Sequence, residues 1–267
     1  MNLVLFHISL NEIFFVVYYG GMDRYSSLSK FFFKAKNRLE LAIDGNRSGV
    51  GLFYFENTKT FVCANVQEAC SQLGWNSPEV DSYIESGIRM HSEVISRTTN
   101  DFPEIWNSEV NLSIMLYVAI RLTNAQVVVE TGVANGVSTN MIMAGLEFTG
   151  GALYSFDVDE NCGNAFSGPG NWNFNVLSSS APEKNLLALT EAFPGVDLWL
   201  HDSDHSYWWQ NFEYKYALSK LNPGGYLFSD DIDYSTAWAK FAPFNFSRNI
   251  VLFDFRKLIG VARNGAS

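Results

Sequence analysis

Four short apolar runs, each closing on an acid, recur between residues 126 and 231 with helical stretches between them. They are Gln126-Val-Val-Val-Glu130, Ala152-Leu-Tyr-Ser-Phe-Asp157, Asp197-Leu-Trp-Leu-His-Asp202 and Gly225-Tyr-Leu-Phe-Ser-Asp230-Asp231. Continuous apolar runs of this length read as parallel strands buried on both faces, because an alternating pattern would leave one face to water. Ser108 to Leu122 carries apolar residues at helical spacing, and further helices are expected from about Ser138 and Ser206. Asn249 to Phe255 and Leu258 to Ala262 predict a closing hairpin. The expected fold is a doubly wound α/β sheet. Such a sheet binds its ligand at the carboxyl ends of the strands, near the point where strand order reverses. One acid at a strand end is ordinary capping; Glu130, Asp157, Asp202 and the pair Asp230-Asp231 together predict a functional rim.

The remainder of the chain carries less chemistry. Residues 1–22 form an apolar extension, 23–105 a lead-in or cap, and 106–267 the main domain. Met1 to Gly21 lacks the basic start and small-residue cleavage site of a signal peptide. A membrane anchor there would bury Glu12, at a cost of about 2.5–3.5 kcal/mol. An over-extended start before Met22 is the other reading. Within the cap, Gly51-Leu-Phe-Tyr-Phe and Thr60-Phe-Val-Cys predict a hairpin turning at Glu56-Asn-Thr-Lys, followed by two helices, the second after Pro78. The net charge of −10 argues against a nucleic-acid groove, since the densest basic stretch (Lys30, Lys34, Lys36, Arg38) reads as one solvated helical face. Cys63, Cys70 and Cys162 include no C-x-x-C pair, so they are expected as reduced, buried thiols in a cytoplasmic protein, with a Cys63–Cys70 bridge as the alternative. A homodimer through the aromatic-rich N-terminal region is the expected assembly.

After the first strand comes Glu130-Thr-Gly-Val-Ala-Asn-Gly-Val-Ser138. Gly132 and Gly136 allow a sharp turn into the helix and a close approach of backbone to ligand. The dinucleotide pattern G-x-G-x-x-G is absent, with Ala134 and Ser138 in slots that demand no glycine. A strand-terminal acid before G-x-x-x-G suits a ligand without pyrophosphate, with Glu130 placed to meet a cationic or amino group. The glycines could equally serve packing alone.

This stretch resembles the S-adenosylmethionine (SAM) loop of class I methyltransferases. Asp157 matches the acid that closes the second strand and binds the ribose hydroxyls in that family. Pro223-Gly-Gly-Tyr-Leu-Phe-Ser-Asp-Asp231 is similar to the family's turn and fifth strand, and the closing hairpin to its sixth and seventh. The resemblance spans residues 106 to 263 and implies a seven-stranded Rossmann-like sheet with an antiparallel terminal hairpin. It implies SAM bound by Glu130, Gly132, Gly136 and Asp157, with Asn135 and Ser138 as lesser contacts.

The second motif is His201-Asp-Ser-Asp-His-Ser-Tyr207, with Asp230-Asp231 one strand over. Clustered carboxylates repel unless a cation neutralises them, and hard oxygen ligands suit Mg²⁺. The motif resembles the cation-dependent O-methyltransferases, both the catechol-like and the sugar-modifying branches. That resemblance implies Asp202, Asp230 and Asp231 as metal ligands; Asp233 is close enough in sequence to substitute for one, and the Asp230-Asp231 pair could instead be metal-free, one acid serving as a cap. A divalent ion lowers the pKa of an acceptor hydroxyl and positions it. The remaining proton goes to His205, which stands where catechol-like enzymes have a lysine, or to Asp204, which matches the sugar branch. Either could instead cap the following helix, and His201 reads as a buried, hydrogen-bonded residue. Trp208 and Trp209 could stack on an acceptor or pack the helix, and Asn161 to Asn175 reads as a loop over the site. The expected activity is transfer of a methyl group to a small hydroxylated molecule or a saccharide. A SAM-binding module without transferase activity and a metal-independent transferase are the competing readings. Too few histidines accompany His201 and His205 for a zinc hydrolase.

Overall fold

A computed structural model of the chain describes residues 59–99, 101–255 and 257–265. The Met1–Gly21 extension, the basic stretch and the Gly51–Phe55 strand lie outside the described residues.

One eight-stranded sheet organises the rest. Its strands are β1 (Phe61–Cys63), β2 (Val127–Thr131), β3 (Ala152–Asp157), β4 (Asn171–Val176), β5 (Val196–His201), β6 (Leu221–Ser229), β7 (Arg248–Asp254) and β8 (Lys257–Arg263), in the order β1-β7-β8-β6-β5-β2-β3-β4. Strands β2 to β6 pair in parallel, and β8 runs antiparallel between β6 and β7. The doubly wound, Rossmann-like class and the antiparallel terminal hairpin are therefore as the sequence predicts. The sheet has an eighth strand, because Phe61–Cys63 joins its edge in parallel with β7. A strand also appears where a loop was expected: Asn171–Val176 pairs with β3 along its whole length.

Helices cover both faces. Among the described residues, α1 (Val66–Leu73), α2 (Val80–Arg97), α3 (Val110–Thr123) and α4 (Val137–Leu146) precede β3, while α5 (Pro182–Thr190), α6 (Tyr207–Lys220) and α7 (Ala237–Asn245) follow β4. Strand alternation feeds two cores. Val128, Leu198, Leu200 and Phe228 pack with Leu112, Leu116, Ile142 and Leu146, whereas Val129, Trp199 and Leu227 pack with Tyr214, Ala217, Trp238 and Phe241. The first core also takes in Val66, Leu73, Trp75 and Ile84, and Trp75 Nε1 donates to the Tyr226 hydroxyl at 2.8 Å. The lead-in helices thus share the main core.

Helix α3 is fixed at its start by a distant residue. The amides of Asn111 and Leu112 donate to the two oxygens of Asp254, at the end of β7. These are orphan donors of a first helical turn, supplied with a buried acceptor from another strand. Cys63, Cys70 and Cys162 are buried thiols. No helix among the described residues is long and apolar enough to cross a membrane.

Candidate active site

The chain passes from β2 outward through β3 to β4, then returns to lay β5 on the other side of β2. The strand order therefore reverses at β2, and the loops after β2, β3, β5 and β6 gather at that end of the sheet. The two loops flanking the reversal cross in close contact. Gly132 has φ +84°, and a Cβ placed on it would lie 1.9 Å from the Asp202 carbonyl oxygen. Its amide donates to Phe156 O at 2.8 Å, and the Asp202 amide donates to Thr131 O at 2.8 Å. Gly136, at φ +75°, begins α4, and a Cβ there would meet Ala165 Cβ at 2.5 Å. Packing therefore requires both glycines. Ala134 lies between them at φ +46°, a left-handed conformation favouring glycine, so the expectation that its slot makes no such demand is corrected.

The residues of the glycine-turn motif occupy different positions relative to the rim. Glu130 is not terminal, because β2 continues to Thr131. Its side chain points into the sheet interior and is fully buried. One carboxyl oxygen accepts from Ser138 at 2.6 Å, the other from Thr139 and Ser155 at 2.7 Å each. Ser138 is thereby committed to Glu130. Burial pushes the Glu130 carboxyl up to about 6, against the pull of those hydroxyl donors. Asn135 is also engaged: its amide group accepts from Phe102 N and donates to Phe102 O and Asn107 Oδ1, pinning the segment before α3 to the loop. Asp157 does close β3, half-buried, accepting from Val133 N at 2.8 Å and Asp159 N at 3.0 Å. Of this set, Gly132, Gly136 and Asp157 line the turn itself.

Glu130 gives a pH-dependent expectation. A carboxyl ordinarily near 4.5 holds its proton to about 6 in the fold. The folded state then binds more protons than the unfolded chain between those values, so stability is full below about 4.5 and is lost as pH rises through about 6. The loss corresponds to about 2 kcal/mol. Urea titrations at pH 4.5 and 7 should show a loss about 2 kcal/mol smaller in Glu130→Gln than in the wild type; equal pH dependence in both would contradict the assignment.

The acid motif assembles at the ends of β5 and β6. Strand β6 stops at Ser229, leaving Asp230 and Asp231 just beyond it, as Asp202 lies just beyond β5. Asp230 is fully buried, and Asp231 adopts φ +46°. His205 Nε2 lies 3.4 Å from Asp231 Oδ2 and 4.0 Å from Asp202 Oδ1. Burial lowers the His205 pKa, against Asp231, so the imidazole favours its neutral form. Burial and then the Asp230 charge push the Asp202 carboxyl well above the usual range. Asp204 is exposed, and its oxygens accept from the Ser206 amide and hydroxyl at 2.9 and 3.1 Å. Ser206 in turn caps α6 through the Trp209 amide. The structure thus brings Asp202, His205, Asp230 and Asp231 together and commits Asp204 to the helix entry.

Two residues absent from the sequence reading complete the site. Lys257, the first residue of β8, places its ammonium against Asp230 Oδ2, with Asp231 Oδ2 at 3.6 Å. Glu213, on α6, is fully buried and accepts from Thr131 Oγ1, Trp199 Nε1 at 2.8 Å and Ser203 Oγ at 3.3 Å, with His201 Nδ1 at 2.8 Å. Burial alone would raise the Glu213 carboxyl, but His201 and the hydroxyl and indole donors outweigh it and hold it low. His201 is buried and hydrogen-bonded, as expected. Trp209 is buried, donating to Ser203 Oγ at 2.8 Å, whereas Trp208 is 72% exposed. A lone acid in an aromatic helix was the available signal for Glu213. Lys257 had none, because a lysine beside a hairpin turn usually faces water.

Residues 129–232 match a family model described as a methyltransferase domain. The match spans the glycine turn, the acid closing β3, the His201–His205 motif and the Asp230-Asp231 pair. No curated protein matches the chain. Among solved structures, the chain is similar to an O-methyltransferase from Bacillus cereus in complex with SAH, at 13% identity over 68% of this chain and 91% of that one, TM-score 0.45. It is similar to the O-methyltransferase TomG from Streptomyces achromogenes, in complex with SAM, at 14% identity over 68% and 90%, TM-score 0.47. A third likeness is to MycE of the mycinamycin biosynthetic pathway, in complex with Mg, SAH and mycinamycin VI, at 13% identity over 71% and 56%, TM-score 0.49.

Proposed function

From the premise that this chain carries a methyltransferase domain on a doubly wound sheet, we propose that it methylates a hydroxyl group of a small molecule or saccharide, using SAM. The observation carrying this reading is the position of the matched segment: it spans the reversal of strand order and supplies the turn after β2, Asp157 and the His205 rim. SAM, when bound, supplies an electrophilic methyl group on a sulfonium. The glycine turn of residues 132–136 and Asp157 form its binding edge, with Asp157 the acceptor for ribose hydroxyls. Its carboxylate oxygens retain lone pairs beyond those taken by Val133 N and Asp159 N. Glu130, Ser138 and Asn135 support that edge from behind by holding β2, α4 and the segment before α3 in register.

His205 is the group for the proton. The new O–CH₃ bond forms as the S–CH₃ bond breaks, and the acceptor hydroxyl proton passes to His205 Nε2. Asp231 Oδ2 stands 3.4 Å from that nitrogen to stabilise the imidazolium. A base favouring its neutral form suits that role. Asp204, tied to Ser206, lies outside this step.

Asp157→Ala should weaken S-adenosylhomocysteine (SAH) binding by about 10–100-fold, the worth of a hydrogen bond to a charged acceptor. Asp157→Asn should retain part of the turn geometry and lose less. Calorimetric titration of both variants checks this; wild-type affinity in Asp157→Ala would remove Asp157 from the cofactor site.

A further inference from the structure

Asp230 and Asp231, two adjacent carboxylates just beyond β6, require a cation, and β8 delivers one. Because β8 runs antiparallel beside β6, its first residue lies next to the loop that follows β6. Backbone bonds lock that junction: Ile232 N donates to Leu258 O at 3.0 Å, and Leu258 N to Asp233 Oδ1 at 3.0 Å. The Lys257 side chain, 7% exposed, is thereby held against Asp230 and Asp231, while His205 approaches Asp231 from the β5 side.

As a divalent-cation site the set does not fit. Asp230 Oδ2 and Asp231 Oδ2 both face the ammonium, so a divalent ion bound by these oxygens would have to displace it. Among the described residues, no three His, Cys, Asp or Glu side chains are grouped to hold a metal ion. A divalent ion placed here would repel an ammonium that is already paired and buried. We propose that Lys257 is the resident cation of this rim and stands in place of a divalent metal. The methyl transfer proposed above, on which the catalytic half of this inference rests, then needs no added metal.

The test is Mn²⁺ binding, followed by calorimetry and by the electron paramagnetic resonance of the ion, on chelator-treated wild type and Lys257→Ala. Wild type should bind no Mn²⁺ up to millimolar concentration, and Lys257→Ala, with its carboxylates uncovered, should gain binding at least tenfold tighter. That gain should vanish when Asp230→Asn is added. Wild-type Mn²⁺ binding that Asp230→Asn abolishes would overturn the proposal, as would a folded Lys257→Ala that gains no Mn²⁺ affinity. If Lys257→Ala does not fold, the charge-neutral pair Asp230→Asn with Lys257→Met is expected to melt near wild type. Failure of that pair to recover the fold would also contradict the pairing. SAH is titrated into the same metal-free wild type. Its failure to bind would count against the cofactor reading alone, because the Mn²⁺ result does not depend on it.

Discussion

Gly132→Ala should cost the domain about 4 kcal/mol or more. Two penalties coincide at this position. A residue with a Cβ loses about 1–2 kcal/mol in the left-handed conformation at φ +84°. The added carbon would also lie 1.9 Å from the Asp202 carbonyl oxygen and 2.5 Å from its carbon, and both are backbone atoms that no rotamer change can move. Relief requires separating the loops after β2 and β5, which carry the proposed cofactor turn and the acid motif. Gly150→Ala is the internal control: its φ is +74°, but nothing lies within 4 Å of its Cβ, so only the conformational penalty of about 1–2 kcal/mol should remain. Urea denaturation of the two variants separates clash from conformation. Equal destabilisation would show that the loops do not cross as described.

Glu213→Ala should destabilise the fold by about 3–5 kcal/mol, as expected when one member of a buried charged network is removed. Its carboxylate is the shared acceptor for Thr131, Trp199 and Ser203 and faces His201 at 2.8 Å. These residues belong to β2, β5 and the loop after β5, so Glu213 ties α6 to the two strands flanking the reversal. Truncation leaves buried donors without an acceptor, whereas Glu213→Gln retains one oxygen and should lose about 1–3 kcal/mol. In a double-mutant cycle, Glu213→Ala and His201→Phe should couple by at least about 1 kcal/mol. Additive losses would show that the two side chains do not act together.

What the sequence made legible follows from where each signal originates. β2, β3, β5 and β6 were readable because strands buried on both faces must be continuously apolar. The acids just beyond β5 and β6 were readable because a polar residue after such a run marks the rim. β4 escaped because Asn171-Trp-Asn-Phe-Asn-Val176 is a half-exposed edge strand whose asparagines read as loop. Glu130 sits one residue inside the strand end its sequence suggests, because Thr131 extends β2 and spends its hydroxyl on Glu213, a contact 82 residues away. The left-handed backbone of Ala134 is not legible in its residue type, which ordinarily avoids that conformation. Lys257 was not legible either. Its partner Asp230 is 27 residues distant and is reached only once β8 pairs with β6.

Direct titration of SAH into the metal-free, chelator-treated chain tests the central claim. The account predicts saturable binding in the micromolar range, unchanged by added Mg²⁺ and weakened in Asp157→Ala. Absence of binding at millimolar SAH, with and without Mg²⁺, would contradict it.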